Sequence, residues 1–112
     1  MTQKPESLPV IFRADRRGDY IGTVTAFFPT VPGTRDPWTC QIYAHIGQHG
    51  AAHRDFYTDY TRPATPEESA PLLAELRSIY ESGALPCPPV TLKPVRRWTR
   101  HHDAARRAAL EA

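Results

Sequence analysis

Three of the five histidines, His45, His49 and His53, fall within nine positions of one another. On a helix that four-residue spacing would align their rings on one face, the arrangement a metal ion needs. Gly47 and Gly50 argue against a helix, and no carboxylate or thiolate is interleaved, so no metal ligand set is assigned. Two other readings stand beside the metal one. His45 is a solvent-face strand residue and the glycines let the chain turn, or the glycines bring backbone N–H groups into the open beside Gln48 and His49 and make a polar recognition loop.

The next segment holds three aromatics in five residues, Phe56, Tyr57 and Tyr60, beside Arg54. Read as extended chain, Phe56, Thr58 and Tyr60 share one side and Tyr57, Asp59 and Thr61 the other. It is then a short strand or loop that plugs the sheet edge. Aromatics clustered beside His and Arg also suit a contact with another protein. Tyr43, His45, Gln48, His49, His53, Arg54, Phe56, Tyr57 and Tyr60 form the candidate binding surface.

A second candidate lies near the C-terminus. From Lys93 onward six cations stand against two carboxylates, a net +4, whereas the first 92 residues hold eight cations against ten carboxylates, a net −2. Lys93, Arg96, Arg97, Arg100, Arg106 and Arg107 attract phosphate, and the Trp98 ring offers a surface on which a base could stack. Basic segments also contact acidic proteins. Enzyme signatures are missing: no Gly-Lys-Ser/Thr phosphate loop, Gly-x-Ser-x-Gly elbow or spaced CxxC pair occurs. A Cys40/His dyad remains conceivable, but Cys40 falls on the expected core face of its strand, where a thiol is inert packing. No motif calls for a cofactor.

The elements that must position these residues follow from periodicity. Residues 8–47 predict a three-stranded antiparallel meander. Val10, Phe12 and Ala14 share one face of its first strand, with Arg13 and Asp15 on the other, and a reversal follows around Gly18. The second strand, 20–28, is β-branched and aromatic, and 29–37 is a stiff proline loop. In the third, Trp38, Cys40, Ile42, Ala44 and Ile46 face the core, with Tyr43 and His45 opposite. Thr65-Pro66-Glu67-Glu68 starts a helix. Leu72, Leu73, Leu76, Ile79 and Tyr80 recur at helical spacing, Pro71 predicts a kink or a one-turn irregular start, and Ser82-Gly83 ends the helix. Residues 88–95 predict an edge strand and 99–112 a fraying Ala-rich helix. The expectation is an α+β fold: a small antiparallel sheet with one main helix across one face and a C-terminal helix. It is a single domain over 1–112, with a flexible N-terminus (1–7) and a basic helix or tail (98–112).

The chain has 112 residues and 40% hydrophobic content, enough for one core and not for two domains. Two cysteines are too few for a disulfide scaffold, and no signal peptide is evident, so the expected compartment is cytoplasmic. No stretch approaches ~18 apolar residues, which excludes a spanning helix. Twelve prolines are about twice ordinary usage; spread between patterned segments, they read as rigid loop punctuation.

The stretches Val10-Ile11-Phe12-Arg13, Ala26-Phe27-Phe28-Pro29, Tyr43-Ala44-His45-Ile46-Gly47-Gln48-His49-Gly50 and Arg62-Pro63-Ala64-Thr65-Pro66-Glu67-Glu68, in that order, resemble a family of small uncharacterised proteins from bacterial, phage and other mobile-element genomes. The likeness spans about residues 10–97. It carries over no activity and no catalytic residues. It implies a cytoplasmic accessory or counter-defence role that works by binding. The expected function is therefore a non-catalytic binding protein that contacts a host protein through 43–60; the alternative is a nucleic-acid-binding accessory protein led by 93–107. An enzymatic reading would need a metal held by His45, His49 and His53.

Overall fold

The computed structural model describes residues 6–16, 24–44, 48–82 and 89–111. The expected reversal at Gly18, the start of the second strand at 20–23, residues 45–47 and the Gly83 helix stop lie outside them. The elements are β1 (Glu6–Asp15), β2 (Val24–Pro32), β3 (Thr39–Ala44), β4 (Gln48–His53), α1 (Arg54–Tyr60), β5 (Thr61–Pro63), α2 (Pro66–Tyr80), β6 (Val90–Pro94) and α3 (Arg100–Glu111). The fold is α+β, as expected, with a six-stranded sheet and three helices among the described residues. No described helix is long and apolar enough to cross a membrane.

The meander is longer than expected. β1, β2, β3 and β4 pair antiparallel in sequence order, so the glycine-containing stretch 48–53 is a strand and not a recognition loop. β2 runs on through Pro32, past its expected end at Phe28, with its register shifted between the two residues. β1 begins at Glu6, inside the segment expected to be loose, because β6 pairs with it there. That pairing is parallel, a correction to the expected antiparallel edge strand: Val90 lies opposite Glu6, and β6 runs alongside β1 from there.

The far edge of β1 is shared. The Val95 N–H donates to the Val10 carbonyl and the Ala64 N–H to the Phe12 carbonyl, and carbonyls two residues apart in a strand point the same way. β6 and β5 therefore lie end to end along one edge of β1 and meet beside Phe12.

Helices cover both faces, not one. Val10, Val24, Ala26, Phe28 and Tyr43 pack under Leu72 and Leu76 of α2. On the other face Ile11, Phe27 and Cys40 pack under Trp98, with Tyr57 of α1 alongside. Both sets of alternating residues are thus core residues, and Tyr43, expected on an open face, is 4% exposed. Gly33, just past the end of β2, lies against β3: a Cβ there would lie 2.6 Å from the Cys40 carbonyl oxygen.

Residues 54–60 form a helix and not the expected extended segment. His53 caps it, its Nδ1 accepting the Asp55 N–H at 3.0 Å, and a helix places Phe56 and Tyr60 on one side. At α2 the structure matches the expectation. Thr65 Oγ1 accepts the Glu68 N–H and the Glu68 carboxylate accepts the Thr65 N–H, a capping box followed by Pro66. The helix continues through Pro71 as one element.

Candidate functional site

Two of the three clustered histidines, His49 and His53, take structural roles. His49 Nε2 lies 2.7 Å from the Tyr80 hydroxyl, and its ring meets Tyr43 edge-on at 4.8 Å. Burial, then the Glu75 carboxylate beside its hydroxyl, raises the Tyr43 pKa. His53 is engaged at the α1 cap; His45 and the Gln48 side chain lie outside the described residues. Among the described residues no group of three or more His, Cys, Asp or Glu is placed to hold a metal ion. Burial pushes the Cys40 thiol up to about 12, with the Arg106 charge opposing only in part, so a Cys40 thiolate nucleophile has no support here.

Arg54, expected on the contact surface, instead joins α1 to α3: its Nη1 donates to Asp103 Oδ2 at 2.8 Å. Asp103 Oδ1 accepts from Trp98 Nε1 at 2.7 Å and forms an ion pair with Arg106 Nη2 at 3.0 Å. Arg106, 1% exposed, also donates to the Pro29 carbonyl at 2.8 Å and twice to the Pro37 carbonyl. Both guanidinium groups approach the Trp98 ring. The ring expected to stack on a base is thus a core residue, 7% exposed, and Arg106 is a structural cation. Tyr57 belongs to the same layer, edge-on to Phe27 and Trp98, with the buried Arg13 guanidinium 4.2 Å over its ring. Arg13 in turn holds the Tyr57 and Thr61 carbonyls, which explains why a cation sits in a central strand.

Two surfaces remain open. The first lies on the α1/α3 side of the sheet. Phe56 (37% exposed) and Tyr60 (45%) stack one turn apart on α1, with centroids 6.0 Å apart. Trp38 (44%) lies under the Arg107 guanidinium of α3 at 5.2 Å. The Trp38 carbonyl accepts the Arg54 N–H at the start of α1, so the two aromatic groups flank the same helix. Trp38 was assigned to the core by alternation; that face is the right one, but α3 covers the ring with a single arginine. Lys93, Arg96, Arg97 and Arg100 are also exposed, and none forms an ion pair among the described residues.

The second is a cleft of about 400 Å³ where β5, β6 and α2 converge over Phe12. Apolar periodicity did not mark it, since it forms between strand ends; the prolines at 63, 66 and 94 were its only trace in the sequence. Comparison with protein-family models, curated proteins and solved structures gives no match.

Proposed function

We propose that the chain is a non-catalytic binding protein that docks a protein partner on its α1/α3 side, in keeping with an accessory or counter-defence role. One observation carries this reading: among the described residues the exposed large hydrophobic side chains, Trp38, Phe56 and Tyr60, all lie on that side, with Arg107 over one of them. Trp, Tyr and Arg are the types that dominate interface energetics, because they bury much area for little lost side-chain freedom. Of the nine residues first read as the surface, Phe56 and Tyr60 remain its centre, and Trp38 and Arg107 join them.

A pull-down from the native host with nuclease-treated lysate tests this. The expected result is a protein retained by the parent chain and lost with Trp38→Ala and Tyr60→Ala, whose melting temperatures stay close to the parent's. Retention that needs intact nucleic acid, or that ignores both substitutions, counts against it.

The exposed cations Lys93, Arg96, Arg97 and Arg100, in no ion pair among the described residues, favour a second reading, binding of nucleic acid. Fluorescence anisotropy with a labelled single strand distinguishes it: counterion release makes log K fall by about 0.7 per phosphate contact per decade of salt. Absence of binding at low salt removes this reading.

A further inference from the structure

We infer that the cleft between β5, β6 and α2 binds a small aliphatic carboxylate, in a site separate from the α1/α3 surface. Its volume of about 400 Å³ lies at the lower end of the ~300–1,000 Å³ found for ligand pockets, so the occupant is small. Phe12 forms the floor, with Leu73 and Ala70 of α2 on one side and Val95 on the other. The rim prolines, Pro63, Pro66 and Pro94, present ring carbons, have no N–H to donate, and fix their own backbone, so the cleft exists before a ligand arrives. The Ser69 hydroxyl is turned to the Pro66 carbonyl.

Among the described residues, Arg96 is the one charged residue on this lining. It is exposed and in no ion pair among the described residues, so a guanidinium with free donors stands beside walls that offer a ligand almost nothing polar. The complementary molecule is apolar along its length and carries one negative charge at an end. An extended peptide is a poorer fit. The Val10 and Phe12 carbonyls on this edge already accept from Val95 and Ala64, so no run of free backbone groups is left for strand addition.

Calorimetric titration of the full chain with decanoate, held below its micelle concentration, tests the proposal, with decan-1-ol as the uncharged control. Saturable one-to-one binding of decanoate is expected, about tenfold tighter than of decanol because the charged end gains a charge-assisted hydrogen bond. Arg96→Gln should remove that tenfold preference. Ala70→Trp, an exposed position on α2 whose new ring fills the cleft, should abolish binding of both. No saturable binding, equal affinity for acid and alcohol, or unchanged decanoate binding in Arg96→Gln overturns the proposal. If Ala70→Trp does not fold, amide shifts of the parent protein with decanoate decide: changes confined to 69–73 and 94–96 support the cleft, and changes centred elsewhere overturn it.

Discussion

In α3 the buried side chains are Asp103 and Arg106, an ion pair where α2 offers Leu72 and Leu76. Every polar atom of the pair is engaged, which is the condition under which burying two charges is tolerated. Burial pushes the Asp103 carboxyl's pKa up, but the Trp98 and Arg106 hydrogen bonds and the nearby guanidinium charges outweigh it and leave the value below the usual range. Such a group stabilises the fold fully above its unfolded value and loses that contribution as pH falls through the lowered folded one. Asp103→Asn should cost roughly 3–5 kcal/mol at neutral pH, because it leaves two arginines facing each other without their counter-charge; urea denaturation measures it. Cys40 makes the opposite prediction. With its thiol pushed up to about 12, it should stay unreactive toward Ellman's reagent at pH 8 in the native protein and react at once on unfolding.

Two helix starts are built on the same reciprocal pattern with different chemistry. At α2, Thr65→Ala should lower stability by about 1 kcal/mol, seen as a lower urea midpoint at unchanged slope. At α3, Thr99 Oγ1 accepts the His102 N–H and His102 Nδ1 accepts the Thr99 N–H, so histidine takes the place that Glu68 holds at α2. Burial, ahead of its charged neighbours, lowers the His102 pKa. A base with a lowered folded value favours the native state fully above about pH 6.5, and that part is lost as pH falls through the folded value. His102→Gln keeps an acceptor that does not titrate, so it should match the parent at pH 8 and be the more stable of the two at pH 5, read from thermal melts. The α2 cap was legible because its three signals lie within four consecutive residues. α1 was not: its cap is a histidine ring, an uncommon acceptor, and its three aromatics mimic a strand. β3 was legible as a strand but not as to which face is open, because alternation carries no information once both faces are covered.

At the scale of the whole molecule, the segment from Trp98 onward is a wall of the core. A chain ending at Arg97 should lose its cooperative thermal transition, because Phe27, Ile11 and Cys40 would be left without their cover; circular dichroism follows it. Charge counting saw the six cations and their excess but could not separate the buried Arg106 from the exposed Arg107, since that depends on which side of α3 meets β2. The cleft was invisible for a related reason: its walls come from three separate stretches of chain. β1 has a further consequence, in time. It pairs with β2, β5 and β6, and the last of these joins Glu6 to Val90, far apart in sequence. Contacts so far apart in sequence make folding slow, because the entropy of closing the loop is lost before the pairing rewards it. On the ribosome, the Glu6–Val10 half of that edge waits unsatisfied until Val90–Pro94 has emerged, so during synthesis it is the place where nascent chains would stick to one another.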